Sequence, residues 1–212
     1  MTAAGGAAGA VDVAFVHPFR VVVAGPETAR SGIRAAVERA ELALVAECGD
    51  GVTATAAVVR ERAQLCLLGA GLPGLRAAAA AIASLPLAPK VVVIGSAEDV
   101  DEIFAAFVSG ASGYVTPDVE SERLAEELQS AADGGVALTP AVAARFAEAT
   151  RPAAPGRGRL TDRERHVLEL LAGGLRTAEI GLRLRISPAA VRRHVSSAVR
   201  QIIASDRSSA PS

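Results

Sequence analysis

The sequence predicts an α/β domain, a doubly wound parallel sheet of five strands, followed by a small all-α domain. Three observations carry this. Between residues 19 and 133, short β-branched runs alternate five times with stretches of helical periodicity, the rhythm of parallel strands joined by crossover helices. Runs such as VVVA at 21–24 and VVVI at 91–94 show no polar alternation, as strands buried on both faces require. Beyond a Pro, Gly and Arg stretch at 151–159 the strand signals stop and helical spacing alone remains.

The elements follow in order. Residues 20–24 (RVVVA) form the first strand, and 27–40 a helix with Ile33, Val37 and Ala40 on one face. A strand is expected at 42–48, a helix at 52–63, a strand at 64–68 and a helix at 75–85. Residues 90–94 (KVVVI) are the clearest strand. The helix at 100–109 carries Ile103, Phe104 and Phe107 as its apolar stripe, and the series closes with a strand at 113–116 and a helix at 121–133. Right-handed crossovers restrict the topology. In such sheets the functional crevice lies at the carboxyl ends of the strands. Here those ends are Gly25-Pro26, Gly69-Ala70, Gly95-Ser96 and Thr116-Pro117.

The expected organisation is a disordered Ala/Gly-rich tail at 1–17, the α/β domain at 18–135, a linker containing a short helix from Pro140 at 136–159, and the helical domain at 160–212. Half of the residues are hydrophobic, with no Trp, one Tyr and five Phe, so the core is one of small aliphatic side chains. The net charge of −1 conceals an asymmetry: residues 151–212 hold 12 Arg against 5 carboxylates, whereas residues 1–150 hold 10 basic against 18 acidic side chains. A basic end on an acidic body is the footprint of a module that meets phosphate. Cys48 and Cys66 are too few for a disulfide framework and lie in apolar runs, where buried thiols are expected. No membrane-length apolar stretch and no signal-peptide pattern is present, so the expectation is a cytoplasmic protein that does not engage a membrane.

The basic end carries the strongest pattern. Thr161 and Glu164 have capping-box spacing, starting a helix near Asp162. Leu160, Val167, Leu168 and Leu171 supply its buried face, and Gly173-Gly174 ends it. Thr177 is expected to cap a second, short helix carrying Ile180 and Leu184. Ser187 then caps a helix with Pro188 at its first position. On this last helix, over 188–201, Val191, Val195, Ala198 and Ile202 fall on one stripe. Arg193, Ser196 and Arg200 project from the opposite side, with Arg192 at its edge. An apolar face backed by an arginine face, after a short capped helix and a tight turn, fits a recognition helix for the DNA major groove. The guanidinium fork can take a guanine edge bidentately or clamp a phosphate.

Residues 160–203 resemble the helix-turn-helix of LuxR/NarL-type regulators. The matching positions are Leu160-Thr161, Arg163-Glu164, Val167-Leu168, Ala172, Gly174, Glu179-Ile180, Leu184, Ser187, Val191 and His194. The resemblance implies a DNA-contacting role for Arg192, which stands where a base-contacting Lys is usual. Arg193 and Ser196 take the neighbouring groove-facing positions, and His194 a position that supports backbone contact. Double-stranded DNA, as an inverted repeat, is the implied partner. Three positions depart from the pattern: His166 for Glu, Thr177 for Asn and Ala190 for Thr. The segment 205–212 (SDRSSAPS) is too short and polar for the family's fourth, subunit-pairing helix, which shifts the expected homodimer contact to the α/β domain.

Residues 19–148 resemble the receiver domain of the same response regulators, through GASGY at 110–114 and Leu72-Pro73-Gly74. This implies a flavodoxin-like strand order. A receiver transfers a phosphoryl group to an aspartate, with an acidic pair to hold Mg²⁺, a lysine, and a Ser/Thr sensor. Read onto this sequence, the acidic pair falls on Gly25-Pro26, the nucleophile on Gly69 and the lysine on Pro117. Ser96 matches the sensor and Tyr114 the aromatic switch position. Neither Gly nor Pro accepts a phosphoryl group or binds a metal through its side chain. Glu27 and Asp50 do not fit the placement, and no carboxylate lies between Gln64 and Ile94. The expectation is an atypical, unphosphorylated receiver that serves as a dimerisation platform, takes a small-molecule ligand in the crevice of Gly25, Gly69, Ser96 and Thr116, or answers to a partner protein.

A rival reading comes from Gly69, Gly71 and Gly74, which fit the G-x-G-x-x-G string of a dinucleotide-binding turn. Against it, the strand is the third of its domain, and the acidic residue expected about twenty positions on is missing. A second rival is an adaptor that keeps the fold for protein contacts alone. His17, His166 and His194 have no ligand-spaced partners, and no Ser occupies a nucleophile elbow. No metal, cofactor or enzymatic activity is therefore expected.

Overall fold

The computed structural model describes residues 19–150 and 160–209. The tail expected at 1–17 and the stretch at 151–159 lie outside the described residues. The α/β part runs β1 (Arg20–Ala24), α1 (Glu27–Arg39), β2 (Ala43–Cys48), α2 (Gly51–Glu61), β3 (Leu65–Gly69), α3 (Leu75–Ala83), β4 (Lys90–Ile94), α4 (Val100–Val108), β5 (Gly113–Val115) and α5 (Ser121–Ala132). It continues into β6 (Ala137–Leu138) and α6 (Pro140–Ala149). Every strand pairing is parallel, and the order is β2-β1-β3-β4-β5-β6. The sheet thus has six strands, not the expected five. The extra strand is two residues that pair Gly113 with Ala137 and Tyr114 with Leu138; a run this short leaves no period-two signature.

The inner strands lie between two helical layers. Val21, Val23, Leu65, Leu67, Val92 and Ile94 pack with Ile33 and Val37 of α1 and Leu124 and Leu128 of α5. On the other face, Val22, Cys66, Leu68 and Val91 pack with Ala54 and Val58 of α2 and Ala79 and Ile82 of α3. Alternate residues of each strand serve opposite layers. Cys48 and Cys66 are free and buried. Burial pushes the Cys66 thiol up to about 12, with the neighbouring Cys48 adding to it, so it stays an unreactive apolar side chain. No helix among the described residues is long and apolar enough to cross a membrane.

The remaining helices are α7 (Asp162–Ala172), α8 (Thr177–Leu184) and α9 (Pro188–Ser209). They do not stand apart from the sheet. One buried cluster joins Phe104 and Phe107 of α4, Tyr114 of β5 and Phe146 of α6 to Leu160, Val167, Leu168, Ile180, Val191, Val195 and Ile202. The Phe146 ring meets Phe104 and Phe107 edge-on, with centroids 5.3 and 5.4 Å away. α6 is therefore the keystone between the two parts.

Candidate nucleic-acid interface

Local chemistry builds the three-helix module as the sequence spacing requires. The Thr161 hydroxyl accepts from Glu164 N at 3.2 Å, and Glu164 Oε2 accepts from Thr161 N at 2.9 Å. Glu164 is buried and also accepts from Gln201 Nε2 at 2.8 Å, tying α7 to α9. Burial pushes its carboxyl up, but hydrogen bonds from Ser197 and Thr161 and the charge of His194 outweigh this and hold it below its ordinary value. Gly174, at φ +86°, turns the chain out of α7. At the head of α8 the expected cap is corrected. The N-cap is Arg176, whose backbone N–H donates to Glu179 Oε2 at 2.7 Å, while Thr177 is the first helical residue. The Glu side chain reaches back where Thr177 would have had to reach forward. Ser187 caps α9 as expected, accepting from Ala190 N at 3.2 Å.

Val191, Val195, Ala198 and Ile202 are all buried, so the stripe read from the sequence is the packed face of α9. Arg193 and Arg200 are exposed, as is Ser187 at the N-cap. Arg192, His194, Ser196 and Thr177 are half-buried. The helix extends beyond residue 201 to Ser209.

What covers Arg192 is the α/β domain. Gly135, after α5, packs so closely that a Cβ on it would stand 3.2 Å from Arg192 Cδ. A cleft of about 640 Å³ runs between Asp133, Gly134 and Gly135 on one side and Arg192, Arg193, His194, Ser196 and Arg200 on the other. A second, of about 500 Å³, sets Glu126, Glu127 and Asp133 against Arg176 and Arg192. Arg176 Nη1 lies 2.7 Å from Glu126 Oε1. Arg123 donates from Nη1 to Gly174 O and from Nη2 to Leu175 O, both at 3.2 Å. Sequence reading missed Arg123, Glu126 and Glu127. The signal was an Arg and a Glu four residues apart, each beside the apolar positions Leu124 and Leu128.

The crevice residues also come together. Gly25, Gly69 and Thr116 are buried, while Pro26, Ser96 and Pro117 are exposed. Thr116 is paired: its N–H donates to Thr139 Oγ1 at 3.1 Å, and the two hydroxyls lie 3.2 Å apart. Tyr114 is fully buried, and its hydroxyl donates to Ser96 O at 3.2 Å. That hydroxyl fills the space a Cβ on Gly95 would need. Burial, then the charges of Glu102 and Asp99, hold Tyr114 above its ordinary value. Asp50 is occupied as the α2 cap, accepting from Val52 N and Thr53 N. The G-x-G-x-x-G string spans the end of β3 and the N-cap of α3. Among the described residues no group of three or more His, Cys, Asp or Glu could hold a metal.

Residues 159–211 match the family described as bacterial regulatory proteins, luxR family. The chain is 28% identical over 170 residues to a probable transcriptional regulatory protein NarL of Mycobacterium tuberculosis, covering 79% of each. It is 29% identical over 173 residues to the nitrate/nitrite response regulator protein NarL of Escherichia coli, covering 78% of this chain and 80% of that one. Among solved structures it is similar to the response regulator ChrA of a heme-sensing two-component system, with 25% identity and a TM-score of 0.52, over 85% of this chain and 88% of that one. The NarL and ChrA likenesses extend well beyond the 159–211 match.

Proposed function

We propose that this chain is a LuxR/NarL-type response regulator, a receiver joined to a luxR-family helix-turn-helix, and that it acts as a sequence-specific DNA-binding transcription regulator whose receiver works without phosphorylation. The carrying observation is α9: its apolar stripe is spent on the core, which leaves Arg192, Arg193, Ser196 and Arg200 for DNA. In this reading Arg192 and Arg193 read base edges. Ser196 faces the groove beside them, and Arg200, His194, Thr177 and Ser187 hold the backbone, which fixes register without specifying sequence.

The form described is a closed one. A major groove about 12 Å wide admits a helix but not a helix with a domain seated along it. Gly135 and its neighbours lie against Arg192, so DNA binding requires the module to leave α5. Glu126, beside Arg176, occupies a place a phosphate could take. The regulator acts as a homodimer on an inverted repeat, paired through its receivers.

The strand ends support the unphosphorylated reading: on the receiver resemblance, Gly25-Pro26, Gly69 and Pro117 take the positions of the carboxylates and the lysine. Incubation with acetyl phosphate and Mg²⁺ is expected to leave the intact mass unchanged. A stable phosphoryl adduct on an aspartate would overturn this part of the reading.

A further inference from the structure

The outer surface of α2 and α3 is apolar where solvent-facing helices ordinarily carry polar side chains. No charged residue stands between Gly51 and Val59 on α2, or between Ala77 and Ala83 on α3. Val52 and Val59, two turns apart on α2, are 81% and 58% exposed. Beside them runs a groove of about 710 Å³ lined by Ala56, Ala77, Ala78 and Ala81. The other helical faces of the α/β domain differ. α4 and β5 are covered through the cluster they share with the helical module. The α1–α5 face exposes Arg34, Glu38, Arg39, Glu122 and Glu126. A continuous apolar patch of this kind marks a protein contact. The two ends of α2 carry opposite charge. Asp50 caps its head. At its foot Arg20 and Arg60 share one carboxylate, Glu61, at 2.8 and 2.9 Å, and Arg62 stands at the C-cap, which leaves the foot net positive. Arg76 lines the cleft on the other side of α3, with Asp99, Asp101 and Glu102.

We propose that two copies of the chain pair through this face, α2 packing antiparallel on α2 of the partner subunit across a twofold axis, with the valines of each copy entering the groove of the other. This rests on the receiver-paired homodimer reading above and names the surface. A twofold contact is isologous, so a residue that meets a second residue of the partner is met by its own copy in return. α2 satisfies that condition in one register. Setting Val52 on Val59 of the partner subunit also sets Asp50 between Arg60 and Arg62 of the partner subunit, and it runs the two helix dipoles head to foot. Thr55 and Ala56 then fall at the axis. Their small side chains let the helices approach to the near end of the usual spacing of about 8–10 Å. The same register thus joins apolar to apolar and negative to positive, which is what selects a second copy as the occupant.

The test is sedimentation of the full chain over a concentration series. The wild type is expected to dimerise. Val52→Lys and Val59→Glu, at positions already exposed in the protomer, are each expected to weaken the dimer at least about tenfold, by setting an unpaired charge in the contact. The double variant Val52→Lys/Val59→Glu faces a lysine with a glutamate across the axis and is expected to recover most of the loss, which no folding defect would do. A short bismaleimide is expected to trap Ala56→Cys as a covalent dimer and to leave Glu122→Cys, on the α1–α5 face, uncoupled; Cys48 and Cys66 are buried and give no background. Dimers of wild-type strength in both single variants, or no recovery in the double variant, would overturn the α2 contact. A dimer trapped through Glu122→Cys and not through Ala56→Cys would also overturn it, and would leave the receiver-paired homodimer standing. A wild type that stays monomeric at every concentration removes both.

Discussion

Phe146→Ala is expected to lose about 3–5 kcal/mol of stability, the range for emptying a buried aromatic site. Phe146 is fully buried. Its ring bridges the edges of Phe104 and Phe107 on the α/β side, and it belongs to the cluster that holds Leu160, Val167 and Leu168 of the helical module. The cavity therefore opens at the junction of the two parts, where α6 cannot collapse without parting one from the other. Denaturant titration measures the loss, and the same variant should show a second, earlier transition as the module separates. Phe146→Leu retains more of the volume and is expected to recover part of the loss. A single transition within about 0.5 kcal/mol of wild type would place the junction elsewhere.

The second large effect concerns DNA. Arg192→Ala and Arg193→Ala are each expected to cost about 1–3 kcal/mol on a selected duplex, the worth of a good bidentate base contact. They should also relax sequence preference at different base pairs. Arg200→Ala, at an exposed position proposed for phosphate contact, should weaken all duplexes alike and make the salt dependence shallower by about one counterion. The two kinds of arginine are separated by competition binding at several salt concentrations. Arg192 carries a complication with a definite sign. Its side chain packs on Gly135 in the closed form, so its removal also loosens closure, and its measured cost should come out smaller than that of Arg193.

Much of this was legible in the sequence, because continuous β-branched runs and three-residue capping spacings are local signals. The strand at Lys90–Ile94 and the cap at Thr161 needed nothing beyond their neighbours. β6 was not legible, because two residues become a strand only by lying beside Gly113 and Tyr114. The cap of α8 was misread since Thr177 and Glu179 are both plausible partners, and the choice between them depends on the direction from which the chain arrives at Arg176. The arginine face of α9 was evident from spacing. Its half-covered state was not, because it depends on Gly135, which lies far back in the sequence on the α/β domain. Arg123 and Glu127 illustrate the limit: a charged pair at helical spacing ordinarily marks a solvated face, whereas here both are buried, Arg123 bonded to the α7–α8 turn and Glu127 to Leu138 N.

The central claim, that α9 reads a DNA sequence, is tested most directly by selection from random duplex DNA, with the full-length chain and the Arg192→Ala/Arg193→Ala double variant run in parallel. The full chain is expected to enrich an inverted repeat that the double variant does not. Enrichment of the same repeat by both proteins, or of no sequence by the wild-type chain, would contradict the account.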